Sequence, residues 1–454
     1  MKFWNGIDRA FTLRLKHLRT RFFALSLGVC LLLVALSVAL GSLETPAQSL
    51  SEKILEMERG IEREYEDYFG RDIASAEEPP EAIAKILARL GEQTGTTPAV
   101  LWAIPRTDYL HLVLITPDAE PIVRDLFDVP EELIESTARI FRQNVTRLRP
   151  PLELAAARQL YQWIVAPFEA EYLQPAGVDT LLFCLGSGLR TTPMVALHDG
   201  EQFLIEKYSL TRIPAFNLID TDYKPLRLDR ILAMGASEFE TLEPLPAVPV
   251  ELSAIAEESK IRTGESGPLF LNREFTTQNL KDNLAERSFD IVHLATHAEF
   301  NSGSPKNSYI QFWDAQITLD EIHNIPWNNS PPELLVLSAC QTALGDPEAE
   351  LGFAGLALQA GVKSAVASLW NVSDLGTLAL MAEFYRQLAT APTKAEALRQ
   401  AQIHLLRGDV RFEGDRLLLG DRAVPLPEDL KNLTPGSLDH PFYWAGFSLI
   451  SSPW

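Results

Sequence analysis

The chain has 454 residues, 46% of them hydrophobic and 22% charged, an ordinary globular balance with length enough for two or three domains. A formal charge of −21 excludes general nucleic-acid binding, which needs a basic face. Three cysteines exclude a disulfide framework, and no CxxC or Cys/His spacing points to zinc, so no metal and no cofactor is expected.

The acidity is uneven. Residues 1–21 carry Lys2, Arg9, Arg14, Lys16, Arg19 and Arg21 against Asp8 alone, which reads as a basic cytoplasmic leader. Phe22 to Leu40 then runs without a charge, interrupted only by Ser26, Gly28 and Ser37. As a helix it spans about 28 Å, close to the hydrocarbon thickness of a bilayer. Basic residues precede it and Glu44, Glu52 and Glu56 follow it, so the positive-inside rule sets its orientation. Residues 22–40 are therefore expected to be a transmembrane helix, with the amino terminus cytoplasmic and residues 41–454 on the other side. The alternative is a cleaved signal peptide and a secreted product. Against it, the run is longer than a usual signal core, and no small-x-small site follows. Cys30 in this run and Cys184 in a later strand-like segment read as packing residues.

Residues 41–79 read as a helical stalk and linker. Leu50, Ile54, Met57, Ile61, Tyr65 and Tyr68 recur at spacings of three and four, giving a narrow apolar seam. Such a helix either pairs with a second copy through residues 50–68 or lies on its own domain, and Gly60 weakens it. Ser75 to Pro80 is linker, and a helix from Glu81 to Leu90 is expected to stop at Gly91. Ala99–Ile104 and Leu110–Ile115 read as a hairpin. Helices over 131–148 and 152–165 follow, then a strand over 180–185, the segment Pro193–Leu204, and a strand over 230–235. From there strands and helices alternate. Helices are expected over 251–260, 277–285, 319–322, 352–360, 375–388 and 394–406, and strands over 291–295, 309–312, 334–339, 364–370 and 442–450. That alternation predicts an α/β/α sandwich with a mostly parallel central sheet.

Two of these strands end in chemistry. Ile291–Ala295 runs on into Thr296 and His297; Leu334–Ala339 runs on into Cys340, Gln341 and Thr342. In an open parallel sheet the carboxyl edge is where ligand sites form. A free thiol is mostly protonated at neutral pH, and a neighbouring imidazole can take its proton and later return it to a leaving amine. Neither residue has a carboxylate at a recognisable spacing, so the pair reads as a dyad. The backbone N–H groups of Ala298 and Cys340 occupy the loop positions an oxyanion hole would need. A satisfied core histidine and a buried structural cysteine are the alternative. His293, four residues from His297 on a strand, lacks a helical zinc-site context and reads as structural. Trp313 and Trp370 read as core.

Four segments fall in order: His293–His297, Leu337–Gly345 around Cys340, Gly361–Asp374 and His440–Phe447. Together they resemble the CHAT-domain peptidases, a caspase-like family related to separases and gingipains and often found with TPR repeats. The resemblance covers roughly residues 80–454. It implies a caspase-like fold, an inactive companion subdomain over 80–229 and a catalytic subdomain over 230–454, with His297 as base and Cys340 as nucleophile. Two departures stand out. The family commonly has glycine after the histidine where this chain has Ala298, and TPR repeats are absent.

Asp346 and Glu350 in the acidic run after the cysteine suggest a pocket wall for Lys or Arg, as in gingipains and separases, or else a solvated loop. Asp374, after Trp370, matches a family position near the substrate cleft, which makes the two candidate pocket residues; for Asp374, capping the next helix is the alternative. The expected function is a membrane-anchored cysteine endopeptidase acting on protein or peptide substrates. A catalytically silent CHAT interaction module at the membrane is the rival, and nucleotide binding lacks a Gly-rich phosphate loop.

Overall fold

The computed structural model describes residues 49–73, 78–149, 151–327, 331–338 and 344–454, and the backbone of 340–342. The leader 1–21 and the apolar stretch 22–40, with Cys30, lie outside the described residues. Among the described residues no helix is long and apolar enough to cross a membrane.

Helix α1 (Leu50–Phe69) buries Ile54, Met57, Ile61 and Tyr65 on one face, as their spacing requires. These side chains share a core with Ile83, Leu87, Trp102 and Trp454 of the same chain. Burying a side chain of this kind contributes about 1.5–3 kcal/mol, more than the roughly 1 kcal/mol that Gly60 costs the helix. Of the two readings of the seam, a second copy or its own domain, these four side chains follow the second. Glu58 pins the helix from the same side. Its carboxylate is buried and accepts hydrogen bonds from Trp102 Nε1, from Phe216 N at 2.8 Å and from Asn217 N at 3.3 Å.

Burial outweighs these donors and pushes the Glu58 carboxyl up to about 7. Because the folded state then holds the proton more tightly than the unfolded chain, Glu58 favours folding less as pH rises from about 4.5 to 7. The stability of the parent relative to Glu58→Gln should therefore fall across that window, by on the order of 3 kcal/mol, and level off above it. Urea unfolding of both proteins at several pH values checks this; a flat difference would refute it.

Helix α2 (Pro80–Thr94) runs through Gly91 and ends at Gly95, which adopts φ 71° and returns its N–H to Gly91 O. The expected stop at Gly91 is displaced by one turn because only Gly95 takes the left-handed conformation that closes a helix. Strands β1 (Pro98–Arg106), β2 (Tyr109–Ile115) and β3 (Ile122–Leu126) form an antiparallel meander. Helix α3 (Glu131–Val145) follows, then β4 (Thr180–Leu185) and β5 (Ser209–Ile213). Along β1 the side chains alternate between two cores: Leu101 and Ala103 join Ile134 and Phe141 of α3, whereas Val100 and Trp102 join α1 and α2. Two-sided burial explains why β1 reads as a continuous apolar run.

The second half continues the same sheet with β6 (Ile231–Gly235), helix α4 (Val248–Thr263), β7 (Leu269–Leu271) and β8 (Ile291–Ala295). Short strands β9 (Ala298–Phe300), β10 (Tyr309–Gln311) and β11 (Gln316–Thr318) precede β12 (Leu334–Leu337) and β13 (Cys340–Thr342). Helices α5 (Pro347–Ala354) and α6 (Leu356–Ala360), β14 (Ser364–Ser368), α7 (Asp374–Leu388) and α8 (Lys394–Leu406) follow. A three-stranded meander, β15 (Val410–Glu413), β16 (Arg416–Leu419) and β17 (Arg422–Pro425), leads to β18 (Phe447–Ser451).

Among the described residues the large sheet has eleven strands, in the order β3-β2-β1-β4-β5-β18-β14-β12-β8-β6-β7. Apart from the β1–β2–β3 meander, its only antiparallel junction is β14 with β18. The molecule is therefore mixed α/β with a large, mostly parallel sheet. Because β14 opposes β18, the two halves point in opposite directions. The carboxyl ends of β6, β8, β12 and β14 share one edge.

Local differences from the sequence reading have simple causes. Pro193–Leu204 holds a 3-10 turn at Met194–Ala196 and a single antiparallel bridge between His198 and Phe203, and residues 319–322 give way to a turn at Ile322–Asn324. Residues 442–450 divide into a helical turn, Pro441–Trp444, and β18, because His440 Nδ1 caps Phe442 N and starts a turn. Strands of three to five residues, such as β7, β9 and β11, are too short to carry a periodic signal.

Candidate active site

Strand β8 delivers His297 to the shared edge, and β12 delivers Cys340. Beyond β8 the chain turns directly into β9, and beyond β12 into β13; these two short strands pair in parallel, with Cys340 opposite Ala298. The backbone register thus sets Cys340 beside the residue that follows His297. Ala298 also faces Ile310 of β10, and it is not among the residues with positive φ. It sits in a strand, so a β-carbon is tolerated at the position where the family commonly has glycine.

His297 is half-buried, and two groups of the loop between β6 and α4 hold its ring. Its Nε2 lies 2.8 Å from the Glu243 carbonyl oxygen, and the Phe239 ring packs edge-on at 4.7 Å between centroids. A carbonyl only accepts, so Nε2 carries a proton, and in the neutral ring Nδ1 is the nitrogen with a lone pair. Nδ1 makes no hydrogen bond among the described residues. The main chain is fixed as well: Gln311 N donates to His297 O at 2.9 Å, and Thr296 Oγ1 donates to Gln311 O at 2.7 Å.

The same loop walls a cleft of about 190 Å³. Glu238, Phe239, Glu240 and Leu242 line one side, and Gln311, Phe312 and Trp313 the other. Trp313, read as core, is instead 37% exposed here. None of Glu238, Phe239, Glu240 and Glu243 stood out in the sequence. The available signal was topological, since their loop leaves β6 at the carboxyl edge that also carries His297.

Both ends of this loop are tied down. At its start Ala236 N bonds to Ala295 O at 3.0 Å, and Ser237 N to Asn272 Oδ1 at 2.7 Å. Leu245 N closes the loop on Ser237 O at 3.0 Å. At its end Asp374 Oδ2 accepts from Ala247 N at 2.7 Å. Asp374 opens α7 behind its cap Ser373, whose side chain accepts from Gly376 N. Burial, with Glu251 adding to it, pushes the Asp374 carboxyl up to about 7.

Beneath the site His293 is fully buried between α4 and α7. Its Nδ1 is 3.1 Å from Tyr385 Oη, and its Nε2 lies 3.0 Å from Glu251 Oε1 at an angle too poor for a hydrogen bond. It locks two helices onto β8, a structural role. Cys184 is likewise buried, its thiol pushed up by burial and donating to Pro214 O.

The remaining sequence candidates lie elsewhere. Asp346 caps α5 by accepting from Ala349 N at 2.9 Å. Glu350 is fully buried, accepting from Thr191 Oγ1 at 2.7 Å and from Gly188 N at 3.0 Å, with Arg142 Nη1 3.9 Å away. Trp370 is 5% exposed and donates to Phe442 O at 3.2 Å. The structure brings none of these three to the cleft beside His297.

Among curated proteins none matches the sequence. Solved structures with a related arrangement include a Saccharomyces cerevisiae separase in complex with securin. It is 11% identical over 82% of this chain, with a TM-score of 0.45. This chain spans 31% of that separase chain. A complex of gingipain pro- and mature domains from Porphyromonas gingivalis is similar over 78% of each chain, at 11% identity and a TM-score of 0.40. An Arg-specific gingipain R is similar over 71% of this chain and 74% of its own, at 13% identity and a TM-score of 0.39. The CHAT domain family model matches residues 154–452, a span holding both strand ends, the loop after β6 and α7. By that match the chain belongs to the CHAT-domain family.

Proposed function

We propose that the protein is a cysteine endopeptidase in which His297 is the general base and Cys340 the nucleophile. The observation that carries this reading is the β9–β13 register, with Cys340 opposite Ala298 and the His297 imidazole already held through Nε2. His297 Nδ1 takes the thiol proton, and the thiolate adds to the scissile carbonyl carbon. The N–H groups of Ala298 and Cys340 stabilise the resulting oxyanion, each worth about 3 kcal/mol in such sites. The imidazolium then protonates the departing amine, and water hydrolyses the thioester with the histidine again as base. The Glu243 carbonyl takes the orienting part that a carboxylate plays in a triad. Glu238 and Glu240 beside aromatic Phe239 and Trp313 favour a basic side chain in the cleft.

The test sets the full chain in detergent, with reducing agent, beside Cys340→Ala, on a mixed peptide library and a thiol-directed peptide probe. Cleavage after or next to Lys and Arg, with labelling, is expected in the parent and neither in the variant. Equal behaviour of the two would leave the interaction-module reading in its place. The basic leader, the uncharged 22–40 segment and the acidic flank after it support an anchor with the CHAT domain on the non-cytoplasmic side. A topology reporter fused after Trp454 should be silent in the cytoplasm, and a cytoplasmic signal would overturn that placement.

A further inference from the structure

We propose that Asp374 is a positioning residue for His297: by holding the Ala247 N–H it fixes the loop whose Glu243 carbonyl and Phe239 ring hold the imidazole. The inference rests on the reading of His297 as general base. Asp374 touches neither the imidazole nor the cleft lining, so its influence must pass through the loop. That loop starts on β6 and is secured at its start by backbone and Asn272 contacts that α7 does not share. At its end, where it enters α4, the Asp374 carboxylate is the side chain that holds it. Glu243 itself is exposed, and among the described residues its carbonyl is kept on Nε2 by the loop's own conformation, closed by Leu245 N on Ser237 O. If the end is released, the carbonyl can leave, and the ring is then free to rotate about χ2.

The bond to Ala247 needs an acceptor, not a charge. The site itself already raises the Asp374 carboxyl to about 7, so a neutral oxygen is a form it holds near neutral pH. Asparagine offers the same carbonyl-type oxygen at the same reach, and alanine offers none. Both substitutions also remove the acidic group from the first turn of α7, so any loss from helix capping is common to both.

The experiment compares the full chain with Asp374→Asn and Asp374→Ala in three readouts. The first is the imidazole spectrum of histidine-labelled protein, which holds eight histidines, with the His297 signal assigned by its loss in His297→Gln. The second is the alkylation rate of Cys340 by iodoacetamide, followed by mass against Cys184 in the same sample. The third is kcat and KM on a peptide the parent cleaves. In the parent and Asp374→Asn the His297 Nε2–H should be protected from exchange, and rates should agree within about twofold. In Asp374→Ala the signal should broaden away, with Cys340 alkylation and kcat falling about 10–100-fold and KM little changed. A protected His297 Nε2–H in Asp374→Ala, or an equal loss in both variants, would overturn the proposal. If the parent cleaves nothing and Cys340 alkylates like an ordinary thiol, the peptidase reading fails, and the imidazole spectrum alone still decides what Asp374 does.

Discussion

Replacing His297 by alanine is expected to slow the alkylation of Cys340 and any peptide turnover by about 10²–10⁴-fold, the usual contribution of a positioned general base. The same substitution should barely affect folding. His297 is half-buried, its imidazole contacts are one carbonyl and one ring of an exposed loop, and Glu243 can solvate its freed oxygen in water. Nothing polar is left stranded in the core, so the cost should stay within about 1 kcal/mol. This separation of effects is what the arrangement demands: a large kinetic loss with unchanged urea unfolding. His293→Ala is the contrast. Its ring is fully buried against Tyr385 and Glu251, and its removal opens a cavity over a buried carboxylate. It should destabilise by several times as much. If His297→Ala unfolds the protein as readily as His293→Ala and leaves Cys340 alkylation unchanged, the histidine is a core residue and the dyad is wrong.

The sequence made that distinction at one position and missed it at others. His297 and Cys340 were legible because each follows a short apolar run, and a polar residue there falls at a sheet edge whatever the rest of the fold does. The long buried strands and amphipathic helices were legible for the same reason, since burial imposes a period. The seam of α1 was legible as a seam, but not its partner: a stripe fixed by spacing can be covered by a second copy or by Trp102 and Trp454 of its own chain. Periodicity carries no information on which. Glu238, Phe239, Glu243 and Trp313 carry no periodic signal, because a loop places side chains by its end anchors, and those anchors come from Ala295, Asn272 and Asp374, far apart in sequence. Acidic residues proved the hardest to read. Glu350 and Glu240 look alike in sequence; one is fully buried and the other lines an open cleft.

Glu350→Ala should accordingly be among the most destabilising single changes in the chain, at about 3–5 kcal/mol, the range found when one partner of a buried ion pair is removed. Its carboxylate joins the two halves of the sheet from α5. It accepts from Thr191 and Gly188 of the segment after β4 and faces Arg142 of α3. Arg212 lies in the same interior, donating to Thr192 O, with its Nε and Nη1 unpartnered among the described residues. Burial lowers Arg142 and brings Arg212 down to about 10, and the attraction of Glu350 is what opposes that burial in both. Removing the carboxylate takes the nearby negative charge from two buried cations and leaves the Thr191 and Gly188 donors without their acceptor. Asp346→Ala, which deletes only the cap of the same helix, should cost about 1 kcal/mol and serves as the scale. The effect also reaches the segment after Cys340. Gly345, at φ 84°, runs so close to Arg142 that a β-carbon there would sit 3.0 Å from its Nη2. An Arg142 released from Glu350 should let that segment shift, so Cys340 alkylation should change in Glu350→Ala under conditions where the protein is still folded. Should Glu350→Ala unfold within about 1 kcal/mol of the parent and alter only which peptides are cut, the carboxylate would be a wall of the substrate pocket after all.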